Sequence, residues 1–150
     1  GLSEEELHRR PAPDQWGIVE LICHLSDTDK LAFRARIEAM LEKDRAPLSA
    51  IDPNALAEKY KYIQRTFADA IAGFRSSRGE SLRIIQQVSQ EQWNRVGIHP
   101  RFGETSLGSW IVGWFFHDAS HLRQLLNRRM HLFKQWVGAY EAGYVDDLKL

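Results

Sequence analysis

Apolar residues recur every three to four positions along three long stretches of the chain, which is the period of an amphipathic α-helix. These stretches run from about residue 14 to 43, from about 53 to 89 and from about 107 to 130. No stretch shows the alternation of apolar and polar residues that is typical of a β-strand. The pattern predicts one all-α domain over residues 1–150, an antiparallel four-helix bundle in which one helix is short.

Residues that start and stop helices delimit these elements. Ser3, followed by three glutamates, predicts a short helix or turn over Leu2–Arg9, or the tail of a longer helix, and two prolines end it. Asp14 is placed to cap the first long helix, and Asp52 with Pro53 predicts the start of the second. The second stretch exceeds 30 residues and forms either one helix or two. Residues 91–105 contain two glycines and a proline and are predicted to form a loop.

The last long helix is apolar over much of its circumference. A hydroxyl residue, Thr105 or Ser106, is placed to cap it. One face carries aromatic and polar residues together: Trp110, Trp114, His117, His121, Gln124 and Arg128. A second stripe beside it is aliphatic and aromatic: Ile111, Phe115, Leu122, Leu125 and Leu126. Such a helix is predicted to lie in the middle of the bundle. The aromatic stretch 131–150 is interpreted as a packing tail or a partner surface.

Three histidines are candidate metal ligands. His117 and His121 are four residues apart, so they share one face of the last helix and can offer two imidazoles to one ion. His24 lies in the apolar part of the first long helix. Three neutral imidazoles leave coordination positions open, which is typical of a catalytic site. The alternative is a bundle whose buried histidines only hydrogen-bond to one another.

Two carboxylates near these histidines have competing interpretations. Asp27 follows the first histidine by three residues and is a candidate catalytic or orienting group. The alternative is a surface carboxylate that pairs with Lys30. Asp118 is expected to pair between helices with Arg34 or Arg36 rather than to take part in the chemistry.

Other side chains are expected to be structural. Trp16, Trp110 and Trp114 could line a pocket above the metal, but core packing is the preferred interpretation of each. His99 is expected to be exposed in its loop, with a swing toward the site as the alternative. Cys23 is interpreted as a small core residue.

Composition excludes several classes of function. The 20 basic and 20 acidic residues balance, so the chain has no electrostatic footprint for nucleic acid or for an anionic membrane. Its one cysteine rules out an internal disulfide, and no apolar run is long enough to span a bilayer. We therefore expect a cytoplasmic protein whose partner is a small-molecule substrate rather than a nucleic acid or a membrane.

Three segments resemble the DinB/YfiT superfamily of metal-binding four-helix bundles. They are WGIVELICHLSDTD at residues 16–29, RVGIHPRFG at 95–103 and HDASHLRQ at 117–124. Their order and spacing agree with that family from Leu2 to about Arg129. The sequence departs from the family pattern at Gly17, where serine is usual, and at Asp29, where glutamate is usual.

The resemblance implies a bundle with up-down-down-up connections, in which the first helix is short or truncated here, and frequent homodimers. It implies one divalent metal ion, nickel, zinc, iron or manganese, held by His24, His117 and His121. The activities of the superfamily include thiol-dependent S-transfer, maleylpyruvate isomerisation and a domain of ergothioneine-forming enzymes.

Two functional hypotheses follow. The first is a metal-dependent enzyme acting on a small molecule, in its sharpest form a low-molecular-weight-thiol S-transferase and next a hydrolase. The second is a metal- or ligand-binding bundle without turnover, such as a sensor or a stress-linked module. Fold likeness alone does not decide between them.

Overall fold

The computed structural model describes the backbone of residues 1–137 and the side chains of residues 1–133. Its helices are α1 (Glu4–His8), α2 (Ile18–Thr28), α3 (Ala35–Glu42), α4 (Pro53–Lys59), α5 (Phe67–Ile85) and α6 (Leu107–Val137). A π-helical segment, Asp29–Arg34, joins α2 to α3, and short 3₁₀ turns lie at Tyr62–Gln64 and Gln92–Asn94. The strands are β1 (Ala46–Pro47), β2 (Val96–His99) and β3 (Gly103–Ser106).

The continuous helix formed by α2, the π-helical segment and α3 lies at the centre of the fold, with α5 and α6 packed against it. Most apolar positions of the first predicted stretch are buried, with Val19 and Met40 fully inaccessible. The predicted Asp14 cap is wrong, because the helix begins at Ile18 and the Gly17 N–H donates to the Glu20 carboxylate at 3.0 Å. Glycine fits there because a Cβ would lie 2.8 Å from the His8 carbonyl oxygen.

The second predicted stretch forms two helices. Asp52 caps α4 as expected, accepting from the Asn54 N–H at 2.9 Å. The chain then turns at Lys61, whose φ of 50° breaks the helix before α5. The helical spacing of apolar residues in this stretch predicts an inward stripe that includes Ile63 and Leu82. The turn changes which residues face inward, so Tyr62 is 1% exposed and Ile63 is 48% exposed. Leu82 is also exposed, so the prediction is wrong for both residues.

A small three-stranded sheet corrects the all-α prediction. β2 pairs antiparallel with β3 and parallel with β1. The hairpin turns before Gly103, whose φ of 69° lies in the left-handed region. Strands of two to four residues are too short to show the alternation that identifies a strand in a sequence. The region predicted to be a loop therefore forms a hairpin that leads directly into α6.

Helix α6 begins where the sequence predicts and ends later. Ser106 Oγ accepts from the Ser109 N–H at 3.1 Å, and the helix continues past Met130 to Val137. One face packs on α2, the π-helical segment and α3, while large apolar side chains on another face are exposed: Val112, Phe115, Phe116, Leu122, Leu126 and Phe133. The predicted central position in the bundle is therefore wrong for that face. The predicted role of the tail from 138 onward lies outside the described residues.

Among the described residues, no helix is both long enough and apolar enough to cross a membrane.

Candidate metal centre

The fold brings the three predicted histidines together. The Nε2 atom of His24, on α2, lies 3.3 Å from Nε2 of His117 and 3.1 Å from Nε2 of His121. One potential ligand atom from each residue lies within 4.8 Å of those of the other two. His24 is 5% exposed, whereas the two α6 histidines are partly exposed. The group is therefore open on the α6 side and closed beneath His24.

The other ring nitrogen of two of these histidines has a hydrogen-bond partner one turn along its own helix. His24 Nδ1 lies 3.2 Å from the Thr28 hydroxyl, and His121 Nδ1 donates to Gln124 Oε1 at 2.8 Å. A carbonyl oxygen only accepts, so the bond to Gln124 places the proton of His121 on Nδ1 and leaves a lone pair on Nε2. That tautomer presents Nε2 to a metal ion.

A partly buried chain of ion pairs lies beside His117. Arg78, on α5, donates from Nε to Asp29 and from Nη1 to Asp118, both at 2.7 Å. The prediction that Asp118 pairs with Arg34 or Arg36 is therefore wrong. Arg34 pairs instead with Glu80 on α5.

The guanidinium of Arg36 is engaged elsewhere. It donates to the Ser49 carbonyl oxygen and lies over the ring of Trp110. It is therefore held at the β1 side of α3, away from a pairing with Asp118.

Burial favours the neutral form of the histidines. It lowers the pKa of His24 to about 3, and the neighbouring His121 and His117 add to the effect. Burial also lowers the pKa of His121. Both imidazoles are therefore neutral at pH 7, as metal ligands must be.

The surroundings of Asp118 favour its charged form, whereas those of the histidines favour the neutral form. Burial alone raises its pKa, but His117 and Arg78 outweigh burial and hold the pKa of Asp118 below its usual range. Asp118 is therefore ionised at neutral pH, next to a candidate ligand.

Aromatic rings enclose the group. Trp16 lies 4.9 Å from the His24 ring between centroids, and Phe33 lies 5.1 Å from the His117 ring. Phe33 also stacks on Trp114, at 5.0 Å and 4° between the planes. Trp110 and Trp114 are buried in the core, as preferred from the sequence. These rings place the nitrogen atoms in apolar surroundings.

The geometry of the three nitrogens suits a metal ion. Zinc–nitrogen bonds of about 2.0–2.1 Å at tetrahedral angles place ligand nitrogens roughly 3.3 Å apart. The two separations from His24, 3.1 and 3.3 Å, are close to that value. The contact with Gln124 directs the Nε2 lone pair of His121 toward the other two Nε2 atoms. A divalent cation at this point would have three imidazole nitrogens as ligands.

Asp27, the candidate catalytic residue, has a different partner from those expected. Its Oδ2 accepts from the Tyr62 hydroxyl at 2.7 Å, and both residues line a cavity of about 130 Å³. Cys23 lines the same cavity and is buried, as predicted for a core residue. Burial raises the pKa of its thiol to about 11, so this sulfur is not a thiolate at neutral pH.

His99 is buried, at 4% exposure, and so the expectation of an exposed loop histidine is wrong. The end of β2 places its ring 4.7 Å from Phe102 and 5.3 Å from Trp110, between centroids. Its Nδ1 accepts from the Arg101 N–H at 3.2 Å. His99 therefore belongs to the packing between the hairpin and α6.

Sequence reasoning missed two residues that organise the site. Thr28 was detectable, because it follows His24 by four residues and so shares its face. Arg78 had no comparable signal, because its partners lie 49 and 40 positions away. Only tertiary packing brings them together: α5 lies against the π-helical segment, and the Arg78 side chain reaches Asp118 on α6.

A helical bundle with three convergent histidines is the class of protein that this fold and site define. The profile of the DinB superfamily matches residues 1–125, and the chain belongs to this superfamily. YfiT from Bacillus subtilis has a similar structure, described as "a probable metal-dependent hydrolase with an unusual four-helix bundle topology". The TM-score is 0.78 at 15% identity, over 87% of this chain and 75% of that one.

Two curated relatives are similar in sequence. The "Uncharacterized protein YuaE" of Bacillus subtilis (strain 168) is 28% identical over 137 residues, covering 83% of this chain and 84% of that protein. The "Putative metal-dependent hydrolase OB0413" of Oceanobacillus iheyensis is 24% identical over 127 residues, covering 83% of this chain and 70% of that protein. These similarities extend over most of the chain.

Proposed function

We propose that this chain is a metal-dependent hydrolase of a small molecule, and that His24, His117 and His121 hold one divalent ion. The observation that carries the proposal is the convergence of three Nε2 atoms, with the Nδ1 proton of His121 fixed by Gln124. The names of YfiT and of the Oceanobacillus protein favour hydrolysis over other metal-dependent chemistry. Nickel, zinc, iron and manganese are the candidate ions.

The residues around the site have separate roles in this proposal. A divalent ion held by neutral ligands supplies Lewis acidity and lowers the pKa of water at that point. Trp16 and Phe33 exclude bulk water from two sides of the imidazoles. The partly exposed His117 and His121 mark the side from which a small substrate reaches the site.

Asp27 has a narrower role than the sequence suggested. One of its oxygens already accepts from Tyr62, so any proton transfer by Asp27 depends on the other oxygen or on release of that bond. Comparing Asp27→Asn with the parent at equal metal content tests this role.

The test is hydrolysis by metal-loaded protein. The apo protein is loaded in turn with each candidate ion and assayed with a panel of small esters and amides. We expect hydrolysis that requires the ion and is lost in His121→Gln but kept in His131→Gln, a matched change at an exposed histidine of the same helix.

Two other outcomes correspond to the other hypotheses. Turnover only when a small thiol and an electrophile are supplied together would replace hydrolysis with the predicted S-transfer. A loaded protein that is silent against both panels would favour a metal-binding module without turnover.

A further inference from the structure

Three polar atoms beside the metal centre are buried without a hydrogen-bond partner among the described residues: His117 Nδ1, Asp118 Oδ1 and Arg78 Nη2. The first two lie 3.6 Å apart, which is beyond the usual N–H···O limit of about 3.2 Å. His117 Nδ1 can donate a hydrogen bond, whereas Asp118 Oδ1 can only accept one. A small movement would therefore satisfy both.

The other oxygen of Asp118 is firmly anchored. It accepts from Arg78, whose Nε donates in turn to Asp29. Asp29 is completely buried, and its second oxygen accepts from the Ser81 hydroxyl. The rings of Phe74 and Trp114 lie about 5 Å from the centre of the guanidinium. Arg78 is therefore fixed from several directions, and it fixes Asp118.

We propose that Asp118 is the positioning residue for His117: it accepts the Nδ1 proton of His117 and so directs Nε2 toward the metal, while Arg78 and Asp29 hold the carboxylate in place. The inference rests on the proposed metal site. With Asp118 in this role, Nδ1 of His117 has an oxygen partner on its own helix, as Nδ1 of His24 has in Thr28 and Nδ1 of His121 has in Gln124. Asp118 differs from those two partners because it is charged and because a separate helix, α5, anchors it.

A charged acceptor has a physical consequence. A carboxylate bonded to Nδ1–H makes the imidazole a stronger base and fixes the ring orientation, and losing such a partner typically weakens metal binding about 10- to 100-fold. The closing distance of a few tenths of an ångström is within the rotation of two adjacent side chains. The position of Asp118 next to the ligand in sequence makes this closure local.

Asp118→Asn is the most informative variant, because the size of the side chain is unchanged. Arg78 can only donate, so the oxygen of the new side-chain amide faces Arg78 and its nitrogen faces His117. Nδ1 of His117 must then accept, and the proton moves to Nε2, where it blocks the metal. We expect metal affinity, measured by competition with a chelating dye, to fall about 10- to 100-fold.

The tautomer of His117 separates positioning from a structural role. Long-range ¹H–¹⁵N NMR of the zinc-loaded parent should show His117 protonated at Nδ1, and this signal should change in Asp118→Asn while those of His24 and His121 do not. Asp118→Ala provides a second variant if the asparagine variant does not fold. Glu80→Gln is the matched control, since it removes a different α5 ion pair and should leave the affinity unchanged.

The outcomes separate the two proposals. A parent that binds no metal overturns the proposed function and this inference with it. A parent that binds metal, with an Asp118 variant of equal affinity and an unchanged His117 tautomer, overturns this inference alone.

Discussion

Two faces of α6 are equally apolar in the sequence, but one is buried in the structure and the other is exposed. Trp110 and Trp114, on the face with the histidines, are 8% and 4% exposed. Phe115 and Phe116, only one or two residues further along, are 67% and 65% exposed. Successive residues on a helix are about 100° apart, so adjacent aromatic residues point in different directions.

The difference shows that burial depends on the partner surface as well as on the helix itself. Among the described residues, α2, the π-helical segment and α3 cover one face of α6. That face also contains polar groups with specific partners, such as His121 with Gln124. The exposed face presents large apolar side chains instead, such as Phe115 and Phe116. Polar residues with specific partners, set among buried aromatic residues, therefore mark the face of the candidate site better than hydrophobicity does.

The largest effect is expected at the buried face. Trp114→Ala removes a ring stacked on Phe33 and should lower the free energy of unfolding by about 3–5 kcal/mol, because it leaves a cavity beside the site. Denaturant unfolding of the apo protein measures this change. A loss below about 1 kcal/mol would mean that this face is not the packed one.

A smaller change in the free energy of unfolding is expected when the pH is lowered, and it arises from His99. Burial, together with Arg36 and Arg101, lowers the pKa of His99 in the folded state. The unfolded chain therefore binds this proton more readily. Its contribution to stability is complete above the unfolded pKa of about 6.5 and is lost as the pH falls toward the folded value, with a slope of at most about 1.4 kcal/mol per pH unit. Urea unfolding between pH 7 and 5 should show a shallower decline for His99→Gln than for the parent, and equal slopes would contradict the assignment.

The smallest effect is expected at the exposed face. Phe115→Ser and Leu122→Ser should each change the free energy of unfolding by no more than about 0.5 kcal/mol and leave metal content unchanged. A cost of several kcal/mol would show that this face is covered in solution, by residues 138–150 or by a second copy as in the predicted homodimer. Sedimentation velocity of the parent and of both variants distinguishes these two cases.

Local signals made much of the fold predictable. The capping residues Ser3, Asp52 and Ser106 act within three positions of themselves, so the sequence displays them directly. The spacing of His117 and His121 and the apolar setting of His24 identified a group that the fold assembles. Their role as metal ligands stays a prediction.

Features that depend on distant partners were not predictable. The partner of Asp118 lies on a helix 40 positions earlier, and the pairing of β1 with β2 joins residues about 50 positions apart. The burial of His99 depends on that sheet. No short window of the sequence contains these contacts, because tertiary packing creates them.

The most direct test of the metal centre is elemental analysis of protein purified without a nickel column. We expect about one divalent ion per chain in the parent and in the control variant His131→Ala, and loss of that ion in His24→Ala and His121→Ala. Variants that hold as much metal as the parent would contradict the three-histidine site. A parent that takes up no nickel, zinc, iron or manganese when these are added would contradict it equally.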